Sequence, residues 1–241
     1  TIFKLKDKTN NIFKYKSKVS NLNKSIIVFI SLLFLYLFYL SIPTLYDKTW
    51  VQNTIEKKLL EDFGINFSTS SEISYLILPS PHFLIENSKI FKNTLEKPVA
   101  LSEIKKLKVF ISQKNFFKKE KIDIIEVIID DANFSLKDND LKFLFDSSSN
   151  KFSDKKIFIK KSNIFFKDEE DATISIIKVP EGYLFYDNKK LLNSFNLKGE
   201  VFKIPFTFDL ISNLDLMSKE VEIDAKKLKL NIFNEFTKDP N

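Results

Sequence analysis

The chain contains no cysteine, and all 38 of its basic residues are lysine; among its 241 residues it has three glycines, one methionine, one tryptophan and one histidine. Without cysteine there can be no disulfide and no thiolate metal site. Without arginine there is no planar guanidinium to clamp a phosphate or carboxylate, or to read guanine through two hydrogen bonds. No Gly-rich phosphate loop, GxSxG, HExxH or Walker A pattern occurs. The single histidine, His82, follows Pro79-Ser80-Pro81. Neither spacing nor motif supplies a partner that would orient it as a general base, so it reads as a turn or rim residue. The acidic run Asp168-Glu169-Glu170-Asp171 falls between two strand signals and reads as a solvated turn. Asp130-Asp131 is another close carboxylate pair. Residues 138–150 (DNDLKFLFDSSSN) begin like a calcium loop but lack its glycine and terminal glutamate. No catalytic residue, metal ligand or cofactor is therefore expected, and the chain does not read as an enzyme.

What is present is a net charge confined to one place, and beyond it apolar residues at regular spacing among balanced charges. Seven of the 38 lysines (4, 6, 8, 14, 16, 18 and 24) and one of the 32 acids lie in residues 1–24. The rest holds 31 of each, so the net charge of +6 belongs to the leader. A neutral remainder argues against nucleic acid as a partner. From Ile26 to Ile42 no residue is charged. About 17–20 residues of helix suffice to cross a bilayer core. Residues 25–44 are accordingly expected to be a transmembrane anchor, with Tyr36, Tyr39 and Tyr46 toward its far end. The run is longer than a signal-peptide core and enters PTLYDKTW, so an uncleaved anchor is expected. Lysines before the span place the N-terminus in the cytoplasm and the bulk of the chain on the far side of the membrane, which is the periplasm if the source is a Gram-negative bacterium.

After the span, residues 45–64 read as a short amphipathic helix with Val51, Ile55, Leu59 and Phe63 on one stripe and Gly64 as its stop. From residue 65 the period changes to two. The alternating sets are Ile73/Tyr75/Ile77, Phe83/Ile85, Leu107/Val109/Ile111, Ile122/Ile124, Val127/Ile129, Phe134/Leu136, Ile174/Ile176 and Tyr183/Phe185. Phe202/Ile204/Phe206/Phe208/Leu210, Val221/Ile223/Ala225 and Leu228/Leu230/Ile232 follow. KKIFIKK and NIFFKDE add two further signals. Turns are expected at Lys137–Asp140, Pro180-Glu181-Gly182 and Asp187-Asn188-Lys189. One short helical stretch, Leu141–Phe145, is expected after residue 64. The fold class is mainly β: a single transmembrane helix, a short amphipathic helix, and a long curled, largely antiparallel sheet over 65–241.

One face of each strand is apolar and needs cover, and helix 45–63 can cover only a few strands. Either the sheet closes on itself as a membrane-anchored β-sandwich scaffold binding other envelope proteins, or it curls into a trough whose interior meets something apolar. Lipid is the obvious candidate for a sheet tethered beside a bilayer.

The order of features resembles the N-terminal region of the AsmA family, similar to TamB and YhdP within the bridge-like lipid-transfer superfamily. A basic leader and single span lead to a helix ending in LLEDFGINFS. ISYLILPSPHFLIENSKIF follows, similar to the family's strand, Pro-x-Pro-like turn and strand. ALSEIKKLKVFIS and KKEKIDIIEVIIDDANFSLKD come next, then LKFLF. The specific likeness covers residues 25–145; the rest matches strand rhythm only. The resemblance implies an inner-membrane protein with a periplasmic β-groove, acting in phospholipid transport or outer-membrane assembly and carrying no catalytic residues. In such a groove the apolar strand faces would meet phospholipid acyl chains. The residues implied are Phe134, Leu136, Ile174, Ile176, Phe202, Ile204, Phe206, Phe208, Ile223, Leu228, Leu230 and Ile232. The opening threonine and the ending FNEFTKDPN, which has no closing signal, fit a piece of a longer protein.

Overall fold

A computed structural model describes residues 21–69, 72–93, 98–118, 122–138, 140 and 151–237. The chain forms two separate units, Thr1–Ser41 and Ile42–Asn241. Helix α1, Asn21–Ser41, is the described part of the first. It is long and apolar enough to span a membrane. Its side chains are exposed on every side from Asn21 to Phe38. Most of the basic leader, and the helical expectation at Leu141–Phe145, lie outside the described residues.

The second unit begins with a 3₁₀ turn, Ile42–Leu45, and helix α2, Lys48–Phe63. Both ends of α2 are closed by the residues the sequence offers. Asp47 caps the start, its carboxylate accepting the Trp50 N–H at 2.8 Å. Gly64 ends it at φ 66°, its N–H donating to the Leu60 carbonyl. The stripe Val51, Ile55 and Leu59 is buried.

Eleven strands follow in one sheet that curls and stays open. They are β1 Asn66–Ser68, β2 Ile73–Leu76, β3 His82–Asn93, β4 Pro98–Ile111, β5 Ile124–Leu136 and β6 Lys156–Lys167. Then come β7 Thr173–Asp187, β8 Leu192–Val201, β9 Ile204–Asn213, β10 Ser218–Ala225 and β11 Leu230–Thr237. Their order in space is β1-β3-β4-β5-β6-β7-β8-β9-β10-β11, and β2 continues the edge of β3 beyond β1. A closed sandwich is thus not formed. Neighbours are antiparallel except β5 and β6, which run parallel. A parallel pair cannot be joined by a hairpin, and residues 137–155 make the return.

Two unbroken rows of cross-strand partners run along one face. The first is Phe83, Val109, Val127, Ile157, Leu184, Phe195, Leu210, Val221. The second is Ile85, Leu107, Ile129, Ile159, Gly182, Leu197, Phe208, Ile223, Ile232. Beside them the strands slip phase together. Ile85 and Ser88 are both buried while Glu86 and Asn87 both face outward, and the same inward–outward–outward–inward sequence recurs at 104–107, 129–132, 159–162 and 179–182. The outward pairs form a transverse line whose charges alternate from strand to strand: Glu86, Lys106, Asp130, Lys160, Glu181, Lys198. Asn87, Asp131 and Lys161 reach the slip through positive φ (57°, 57° and 48°). The expected turn at Pro180-Glu181-Gly182 is therefore no turn. β7 runs straight through it, and Pro180, which has no N–H to give a ladder, sits where the β7–β8 register shifts.

Candidate functional site: an apolar sheet face with partial cover

Helix α2 packs on β1, and Asp62 near its far end forms an ion pair with Lys155, immediately ahead of β6. A helix of 16 residues spans about 24 Å at 1.5 Å per residue. Four strand spacings from β1 to β6 amount to about 19 Å. The helix therefore reaches across β3, β4 and β5, and this part of the face is a sealed core: Ile85 and Leu107 are 0 % exposed. Glu56 and Gln52 of the helix fasten the chain after β1. The Glu56 carboxylate accepts the Thr69 N–H at 2.7 Å and its hydroxyl at 2.9 Å, while Gln52 donates to the Thr69 carbonyl at 2.8 Å.

Beyond β6 the rows continue but no described helix lies over them. Leu184, Phe195, Phe208 and Ile223 are half-buried, and Ile232 at the end of its row is 40 % exposed. The face is still the less exposed one in β8 and β10, where Asn193, Leu197, Val221 and Ala225 are buried and Lys198, Glu220 and Glu222 on the other side are exposed. Phe206 lies flat across Gly199: a Cβ there would stand 2.4 Å from the ring. The glycine makes room for an aromatic surface on the apolar face. At the β7–β8 turn end the face becomes polar, with Asn193 accepting the Phe152 N–H at 2.9 Å and Lys151 lying 4.0 Å over the Tyr186 ring.

The residues expected to contact acyl chains fall into three sets. Ile204, Phe206, Phe208, Ile223, Leu230 and Ile232 lie together on the apolar face of β9–β11. Phe134 and Leu136 lie on the inward face of β5 past the phase slip, beside Ser102, Ile164 and Phe166. The third set leaves this face. Ile176 pairs with Phe165 on the opposite side, and Ile174 is an extra residue in β7, unmatched between Thr173 and Ser175. Phe202 occupies the β8–β9 turn and Leu228 a 3₁₀ turn, Lys226–Leu228. Phe195, Leu197 and Leu210 belong to the face and were missed as candidates: for the first two the alternation in LLNSFNLKGE carries the signal, diluted by asparagine and serine, whereas Leu210 closes the clean series from Ile204.

The chain matches no family model and no curated protein. The polar candidates show no converging chemistry. His82 opens β3, its ring 4.7 Å from Phe110 in a stacked arrangement and Nδ1 2.8 Å from the Ser80 carbonyl. Asp130 and Asp131 are held by Lys108 and Lys105 at 3.2 and 2.8 Å. Asp168 and Asp171 close the β6–β7 turn: Asp168 accepts the Ala172 N–H at 2.8 Å, and Asp171 pairs with Lys137 at 2.9 Å, which holds its carboxyl below the usual range. Among the described residues no three or more His, Asp or Glu side chains gather as metal ligands.

Proposed function

We propose that this protein is a membrane-anchored envelope protein that binds phospholipid acyl chains along the uncovered half of its sheet and takes part in phospholipid transport or outer-membrane assembly. The observation that carries this reading is the continuation of both apolar rows past helix α2 into β7–β10, the second row reaching β11 at Ile232. Apolar surface of this extent gains by meeting another apolar partner. Burying about ten methylenes of one acyl chain gives roughly 8 kcal/mol before ordering costs, enough for a retained ligand. The apolar helix α1 supports a bilayer as the source, and the basic leader supports a cytoplasmic N-terminus with the sheet in the periplasm. The likeness to the AsmA family supports the same placement.

The test is lipid analysis of the unit Ile42–Asn241 purified from cells. The expected result is phospholipid bound to the wild-type unit and lost in Phe208→Glu or Ile204→Glu, with circular dichroism unchanged. A lipid-free wild-type unit overturns the reading.

A further inference from the structure

The β8–β9 and β10–β11 turns share an end of the sheet with the acidic β6–β7 turn, which lies along β7 beyond Lys178, the partner of Glu200. They are unlike the two turns at the opposite end. β8 and β9 are joined by Phe202-Lys203 alone, and both residues have positive φ, 50° and 64°. Such a two-residue turn favours Asn-Gly, and a bulky aromatic at positive φ is an outlier. The phenylalanine that bears this strain is 80 % exposed, so packing within the sheet does not explain it. Beside it, the 3₁₀ turn after β10 touches β9 and presents Lys226, Lys227, Leu228 and Lys229, with Leu228 56 % exposed. Lys203, Lys226, Lys227 and Lys229 form no ion pair among the described residues. The acid nearest in sequence to the Phe202-Lys203 turn, Glu200, is engaged by Lys178 at 3.6 Å. Asp224, just before the second turn, pairs in register with Thr207 and Asn231 on the side away from Ile223. At the opposite end, Leu216 and Met217 are also exposed, but there Asp187 and Asp215 balance Lys189 and Lys190.

We infer that the end formed by Phe202-Lys203 and Lys226–Lys229 docks on an anionic membrane surface. Two apolar side chains ringed by four uncompensated lysines match such a surface in both respects. The apolar tips enter the interface, and ammonium groups on flexible stems reach lipid phosphates without a guanidinium fork. This goes beyond acyl-chain binding and does not require a loaded groove.

The experiment uses the full chain in nanodiscs of neutral phosphatidylcholine, mixed with vesicles that are either pure phosphatidylcholine or contain 30 mol % phosphatidylglycerol, and measures capture by flotation. Capture is expected for the anionic vesicles only, weakening as salt is raised. Phe202→Asn with Lys203→Gly supplies the residues this turn prefers, so it keeps the fold and is expected to cut capture at least tenfold. Lys226→Gln with Lys227→Gln is expected to do the same. Lys189→Gln with Lys190→Gln removes equal charge from the opposite end and is expected to leave capture unchanged. Equal capture by wild type and both tip variants assigns it to the lysine-rich leader and overturns the inference, as does equal capture of neutral vesicles. A groove that fails to hold lipid while the tip variants still lose capture sinks only the acyl-chain reading.

Discussion

Strands β3–β6 and β7–β10 carry the same two apolar rows, yet the first stretch lies under helix α2 as a sealed core and the second mixes buried side chains with half-buried ones. The strands themselves do not make this difference. Alternation continues from Leu107 and Ile129 to Phe208 and Ile223 with similar side chains in matching register. The difference is one amphipathic helix, about 24 Å long, enough to cross the four strand spacings of about 19 Å between β1 and β6. Where α2 ends, at Asp62 and Lys155, the cover by a described helix ends too. A sheet face of one chemistry therefore divides into a part packed under a helix and a part that, among the described residues, has none over it.

The largest expected effect breaks this comparison directly. Leu107→Ala under the helix should cost about 2–5 kcal/mol in urea unfolding, because it opens a cavity in a packed core. Phe208→Ala, on the same face but uncovered, should cost about 1–2 kcal/mol, mainly transfer of half-buried surface. Equal losses would show that something seals both halves alike.

A smaller effect sharpens the description of the uncovered half. Gly199→Ala would set a methyl group 2.4 Å from the Phe206 ring, so the ring must leave its place. A loss of about 1–3 kcal/mol is expected from such overpacking. Combining it with Phe206→Leu should cost less than the sum of the two single changes, since the shorter side chain removes the clash. Strict additivity would mean the ring does not rest on Gly199.

The phase slip explains which parts of the fold were legible in the sequence. Helix α2, its Gly64 end and the mainly β class follow from period and the stop residue. The Asp187 turn is legible too: one carboxylate oxygen accepts the Lys189 and Lys190 N–H groups at 2.8 and 3.2 Å. The start of the helix is not, since Asp47 caps a helix expected to begin at residue 45, and alternation alone left open whether the sheet closes. Long strands were harder. Asp130-Asp131, Lys160-Lys161 and Pro180-Glu181 each look like the end of a short strand because two polar or turn-forming residues interrupt the alternation. In the sheet they are neighbours on one line across β5, β6 and β7, and each strand continues beyond with its inward face restored. Single-chain periodicity cannot show that three interruptions coincide; only register does. The same limit hid the parallel β5–β6 pair, which depends on the return through 137–155 rather than on strand pattern. For the candidate site, the β9–β11 residues were legible from clean alternation. Phe202 and Leu228 were not, since a turn residue can extend an apolar series without sharing its face.

The slip itself supplies the next prediction. Lys161 holds φ 48° inside β6, a conformation that costs a residue with a Cβ about 1–2 kcal/mol. Lys161→Gly should therefore raise stability by about 0.5–1 kcal/mol after the added chain entropy of glycine. Lys161→Val should lower it, being β-branched in the same backbone. Gain with valine instead would mean the strand straightens and the transverse line is dispensable.

The smallest effect concerns acid. In the uncovered half the Asp187 carboxyl lies below its ordinary range, chiefly because the Lys189 and Lys190 N–H groups bond the charged form. Glu181 is lowered too, first by its hydrogen bond from Lys198. A carboxyl whose folded value is depressed stabilises the fold above its unfolded value, and that contribution is lost as pH falls through the folded one. Both groups are solvent-exposed, so screening keeps the contribution small. The measurable quantity is thus the titration rather than a melting point. In carbon-detected NMR the Asp187 carboxyl midpoint should fall below that of aspartate in an unfolded peptide. Asp187→Asn keeps an acceptor oxygen for the turn but has nothing to titrate, so it should flatten the pH dependence of hydrogen exchange at the β7–β8 hairpin below about pH 4. Exchange in β3–β5 should not respond. A response there would couple the two halves of the sheet through more than their shared rows.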